Sequence, residues 1–279
     1  MYSFGPLPKV GKSGRIVGAH QKIDRVARRH FEAYVKKGST FLGFPDIKLI
    51  LKFEGINGPD GVKLKSPGVD EPWHFINPKD PSDTALIEDI RNHYSNLVVA
   101  LTKKDTVRSA FEAAWLAHAV VDGLTPAHHE PEEETVTALR AKTESKRTVR
   151  SRLIVSGDGS KRQFVKNNWE HWGAGGVMTT HTMFEAGVAS TIKTLKFENA
   201  RPSGNDLIQV RKDGFEKLFS EALSRVVSLD LYTRYKKRGW TRSMASSVRR
   251  ELMPLIIKTV TLVWYAAYDQ ALKRKKGSL

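Results

Sequence analysis

Apolar residues recur along most of this chain in steps of three and four, the spacing of one buried helix face. Between Arg15 and Lys37 they fall at Ile16, Ala19, Ile23, Val26, Ala27, Phe31 and Tyr34, which predicts a first helix stopped by Gly38. Pro45-Asp46 starts a short apolar helix over Ile47–Phe53. Gly55–Pro81 is rich in Gly, Pro and Asp and reads as an irregular loop. Ser82-Asp83 opens a helix to about Leu101, and Asp105 caps another over Thr106–Val121. The interior of that last helix, AFEAAWLAHAVV, is apolar on nearly every face, which predicts the most buried helix of the molecule. Helical periodicity resumes by Val177 and runs to about Leu195. It returns in two long stretches, Asn205–Leu231 and Arg242–Lys273. The expected fold class is all-α, a multi-helix bundle in one domain spanning residues 1–279.

Residues 139–166 interrupt this pattern with nine Lys/Arg against two acidic residues and a turn-like SGDGS, and read as a mobile basic insertion. The whole chain carries 46 Lys+Arg and 30 Asp+Glu, a formal charge of +16, which favours anionic partners. With Phe164 as its one aromatic, the basic stretch does not read as a base-stacking platform. The absence of cysteine excludes disulfides, thiolate metal sites and a cysteine nucleophile. Pro254, Lys258 and Asp269 break the apolar run Leu252–Leu272, so a buried helix is expected there and no transmembrane segment. No export signal is visible, and a cytoplasmic location is expected.

The nine histidines carry the candidate chemistry. His118 and Asp122 stand four apart in the helix expected to be most buried, so both side chains share one face. A lone histidine there is most simply a satisfied core residue. A buried carboxylate beside it is costly unless something positive neutralises it. Pro126 turns the chain so that His128 returns toward the same place. His181 and Glu185 repeat the i, i+4 pairing in a later helix. Imidazole and carboxylate donors in such numbers suit two borderline ions such as zinc, and paired ions suit phosphoester hydrolysis by an activated water. His30 and His93 read as surface residues, and His171 as packing beneath Trp169 and Trp172.

His-x3-Asp-x2-Thr-Pro-x-His, at His118, Asp122, Thr125, Pro126 and His128, resembles the core motif of the zinc-dependent phospholipases C, the family of clostridial alpha-toxin. His181 and Glu185 are similar to that family's later ligand pair. Glu-Pro-Trp-His-Phe-Ile-Asn-Pro at residues 71–78 resembles its His-Phe-x-Asp-Pro segment. The resemblance thereby implies His74 as a ligand, Asp60 as the aspartate preceding it, and His20 as the histidine of the N-terminal helix. It covers residues 20–185. It implies an all-α fold shared with the single-strand-specific fungal nucleases, built around a metal cluster. Asp60, His74, His118 and Asp122 would hold one ion, and His128, His181 and Glu185 a second. His20 would help hold a third, with Asp122 bridging. Asp60 and Asp122 are the residues implied closest to the chemistry.

The chain departs from the family in lacking the N-terminal tryptophan whose amino group completes the third site, so the count of zinc ions stays at two or three. Asp46 is an alternative to Asp60, with helix capping as its other role. His128 with Glu132, and His129 with Glu133, are rival local pairs. The expected function is a phospholipase C-like phosphodiester hydrolase acting on a phospholipid headgroup, with possible peripheral contact with anionic membrane. Thr-Pro-x-His and His-x3-Glu favour it. A nuclease on the same scaffold is the alternative that the positive charge favours. A metal-stabilised protein that binds an anionic partner without turnover is the third.

Overall fold

A computed structural model describes residues 18–35, 43–65, 74–130 and 160–277. The fold is all-α, with no strand among these residues. The helices are α1 (Ala19–Glu32), α2 (Ile47–Ile50), α3 (Pro59–Lys65), α4 (Ala85–Thr102), α5 (Thr106–Gly123) and α6 (Lys161–Trp172). After them come α7 (Val177–Ile192), α8 (Gly204–Asp213), α9 (Phe215–Ser228), α10 (Leu231–Arg238), α11 (Arg242–Ser247) and α12 (Met253–Gly277). Short 3₁₀ turns at Leu51–Phe53, Gly55–Asn57, Pro126–His128 and Glu198–Ala200 join several of them.

Helix α5 lies at the centre, as its composition requires. Asp105 caps it by accepting from Arg108 N at 2.9 Å. From Ser109 to Gly123 its residues are buried, Phe111 and Trp115 being half-buried. Its small Ala110, Ala113, Ala114 and Ala117 let α1, α4 and α12 pack closely against it. Helix α12 supplies the largest core residue, Trp264, whose indole Nε1 donates to the Ala113 carbonyl at 2.9 Å. Packed against α1, α4, α5, α8 and α9, α12 is the second axis of the core. No described helix is long and apolar enough to cross a membrane.

Several expected boundaries shift for identifiable reasons. The loop expected over Gly55–Pro81 contains a 3₁₀ turn and α3, so Asp60 stands in the first turn of a helix. The single helix expected over Asn205–Leu231 breaks at Gly214, whose φ of 84° and ψ of 170° belong to glycine territory. The stretch 242–273 is interrupted by a π-helical turn at Val248–Leu252, just before Pro254, which has no N–H to donate into that turn. Helix α10 was hidden by its polarity, because LYTRYKKR buries only Leu231 and Tyr232.

The basic insertion expected at 139–166 lies outside the described residues as far as 159. Residues 161–166 belong to α6, a helix the periodicity did not reveal, which Ser160 caps by accepting from Gln163 N at 3.1 Å. His30 is buried rather than at the surface, with Nε2 3.0 Å from the Phe197 carbonyl. His93 is half-buried, 2.6 Å from Glu112. His171 is buried edge-on against Trp172, as expected.

Candidate metal centre

Five segments converge beside the C-terminal half of α5. That helix presents His118 and Asp122 on one face, with His118 Nε2 3.2 Å from Asp122 Oδ2. Its end is built by Thr125, whose hydroxyl donates to the Val121 carbonyl at 2.7 Å. Pro126 stops the helix, and the 3₁₀ turn that follows carries His128 back to within 3.6 Å of Asp122 Oδ1. Helix α1 brings His20 Nε2 to 3.3 Å from that same oxygen, its ring stacked on His118.

The His74 segment is fixed by backbone. Ile76 N donates to the His128 carbonyl at 3.0 Å, and His128 Nδ1 donates to the His74 carbonyl at 2.7 Å. Asp83, expected to open α4, instead accepts from Asn77 N at 2.7 Å and anchors the segment's far end. His74 Nδ1 is thereby held 2.6 Å from Asp122 Oδ2. Helix α7 contributes His181 and Glu185. Glu185 Oε1 lies 3.1 Å from His181 Nε2 and 3.0 Å from His128 Nε2.

All eight residues singled out from the sequence thus lie in one place. They form three groups whose donor atoms fall within 4.8 Å of one another: His20 with His118 and Asp122; Asp60 with His74 and His118; His128 with His181 and Glu185. Asp122 is the hub, since its two oxygens reach four of the five imidazoles. Asp46 is elsewhere: it is exposed, and caps α2 by accepting from Leu49 N at 3.0 Å. Of the rival pairs, Glu132 and Glu133 lie outside the described residues, and His129 bonds the Gly123 carbonyl.

Asp60 differs from the other seven. Its side chain is 25% exposed, the most open of the eight, with Oδ1 3.6 Å from His118 Nε2 and 3.9 Å from His74 Nδ1. Its approach depends on Gly58. A Cβ there would lie 2.9 Å from both the Glu54 Cα and the Phe53 carbonyl oxygen, backbone atoms that cannot swing aside. We expect Gly58→Ala to push α3 and Asp60 outward, with about 1–3 kcal/mol lost from stability in thermal unfolding and weaker metal retention.

Electrostatics favour positive charge in the cluster. For Asp60, burial raises the pKa, but His118 and then His74 outweigh it and hold the carboxylate well below its usual range. For His118, burial lowers the pKa, but Asp122, Glu54 and Asp60 together raise it well above the imidazole range. A divalent ion and a proton would compete for the same nitrogens. The residues fit metal ions on a further observation. Neither ring nitrogen of buried His20 makes a hydrogen bond, Nε2 having only the 3.3 Å approach to Asp122 Oδ1, an expensive arrangement unless one of them ligates.

Two carboxylates behind the imidazoles were missed in the sequence. Glu54, fully buried, lies with Oε2 3.4 Å from His118 Nδ1. By accepting that N–H it directs Nε2 toward Asp60 and Asp122, as the His74 carbonyl does for His128. Asp24 stands four residues after His20, so the i, i+4 signal used for the other two pairs was present here as well. It is buried with neither oxygen hydrogen-bonded, and burial followed by the charge of Glu54 raises its pKa well above the carboxylate range. An acid raised in this way contributes stability only at low pH, and that stability is lost as pH rises. Asp24→Asn should therefore raise the melting temperature of chelated protein at pH 8 and change it little at pH 4.

Comparison with models of known families, with curated proteins and with solved structures gives no match for the chain. The functional reading therefore rests on the geometry above and on the motif resemblance.

Proposed function

We propose that this chain is a zinc-dependent phosphodiester hydrolase of the phospholipase C kind. The observation that carries the reading is the convergence of five histidines and three carboxylates into three neighbouring donor groups, two of which share His118, with Asp122 in reach of four of the imidazoles. Asp60, His74, His118 and Asp122 would hold one ion, and His128, His181 and Glu185 another. His20 with Asp122 would hold a third. Such ions would supply Lewis acidity and charge neutralisation at the phosphate and would acidify a water. Five neutral ligands against three anionic ones leave a loaded cluster net positive, which suits an anionic diester.

The protein's own groups would divide the remaining work. Asp60, ionised and partly exposed, would serve as a ligand and not as the base, because the imidazoles beside it make its carboxylate a weak proton acceptor. Asp122 fixes the orientation of the imidazoles around it. Glu54 and the His74 carbonyl hold His118 and His128 in the tautomers that turn Nε2 inward. A nuclease activity on the same centre is the second reading, supported by the net charge of +16.

Bis(4-nitrophenyl) phosphate, phosphatidylcholine and single-stranded DNA assayed on one zinc-loaded preparation test both readings. Chelator-sensitive turnover of the first supports a phosphodiesterase, and preference between the other two separates lipid from nucleic acid. Absence of turnover on all three, with ions bound, would remove the hydrolase reading.

A further inference from the structure

Helix α6 is inside out. Its buried positions are polar: Asn167 and His171 face the protein, and Gln163 Nε2 donates to Asn167 Oδ1 at 2.7 Å. Its outward positions carry large apolar side chains among charged ones. Trp169 is 66% exposed, Val165 65% and Trp172 40%. Val165, Trp169 and Trp172 stand four and three residues apart, and Arg162 and Lys166 stand three residues before Val165 and Trp169, so the five share one stripe. Exposed Lys161, Arg162 and Lys166 flank the apolar residues, with Glu170, 3.8 Å from Lys166, as the one exposed acid of the helix.

By composition the basic segment ends at Lys166, and Trp169 and Trp172 lie beyond it. The helix joins them. Its carboxyl end is fixed, since Thr179 Oγ1 donates to the Trp172 carbonyl at 2.8 Å. It packs on α7, the helix that carries His181 and Glu185.

We propose that the outward face of α6 docks on the surface of an anionic phospholipid bilayer. Indole rings beside an aliphatic side chain, flanked by Lys and Arg, have the chemistry of a helix lying in the headgroup region. Tryptophan sits well where one end of its ring is dry and the other wet. The charge complements the surface: the exposed charges of α6 are Lys161, Arg162 and Lys166 against Glu170 alone. Val165 near the centre of the stripe favours lipid over single-stranded nucleic acid, because an aliphatic side chain gives a base nothing to stack on. This surface stands independently of the hydrolase reading, since binding is measured without turnover.

The test is co-sedimentation of the zinc-loaded full chain with vesicles of phosphatidylcholine alone and with about one-third phosphatidylserine. The wild type should bind the anionic vesicles preferentially. Val165→Ser/Trp169→Ser should weaken that binding at least about tenfold, and Lys161→Glu/Arg162→Glu/Lys166→Glu should abolish the preference for phosphatidylserine. Zinc content and bis(4-nitrophenyl) phosphate turnover should stay unchanged in both variants, which separates lost docking from lost folding. Wild type that ignores anionic vesicles, or a Val165→Ser/Trp169→Ser variant that binds them undiminished, would overturn the proposal. Loss of single-stranded DNA binding in that variant with vesicle binding intact would overturn it in favour of nucleic acid.

Discussion

Asp122→Asn is expected to strip at least one ion from the centre and to lower phosphodiester turnover at least about a thousandfold, about 4 kcal/mol of transition-state stabilisation. The substitution keeps the side chain's volume and removes its charge. Asp122 lies 2.6 Å from His74, 3.2 Å from His118, 3.3 Å from His20 and 3.6 Å from His128, so its charge bears on four of the five imidazoles. An amide can offer one oxygen to an ion but cannot neutralise it, and its NH₂ would face imidazole nitrogens that need a cation or an acceptor. Turnover and metal content are to be read on the same sample. Loss of both together fits a ligand that joins two groups. Normal metal content in Asp122→Asn would show that its charge is a structural matter.

Removing the ions should destabilise the whole molecule. The centre joins α1, α3, α5, α7 and the His74 segment, and nearly every donor in it is buried. Without a cation, Asp122 relies on a protonated His118, whose burial carries its own desolvation cost. An ion present at a thousandfold above its Kd stabilises the native state by about 4 kcal/mol. For a chain of this size that is roughly 8–16 °C of melting temperature per ion. Thermal unfolding before and after a chelator should show a drop of that order, restored by zinc. Because ion and proton compete for the same imidazoles, the protection should fade as pH falls below the histidine range. An unchanged melting temperature after complete removal would mean that the cluster is satisfied by its own hydrogen bonds.

Much of this centre was legible in the sequence because its ligands lie on helices. A fixed i, i+4 spacing guarantees a shared face, which made His118–Asp122 and His181–Glu185 visible without tertiary information. Pro126 gave the direction of the turn to His128. Glu54 and Asp24 were not seen, for different reasons. Glu54 follows a short 3₁₀ turn, where no period declares which way a side chain points. Asp24 has the right period, but its neighbours Arg25, Arg28 and Arg29 make that helix look like a solvated surface. Helix α6 escaped because its amphipathicity is inverted, so the rule that apolar means inward gives the wrong face. The break at Gly214 depends on a backbone conformation that glycine permits without requiring.

The central claim is that Asp122 and the residues around it hold metal ions. Metal content per chain, measured by plasma mass spectrometry on protein purified without chelator, tests it most directly. The account predicts two or three zinc ions per chain. A fully folded protein that carries none and takes up none from excess zinc would contradict it, and would make these histidines and carboxylates a hydrogen-bonded core.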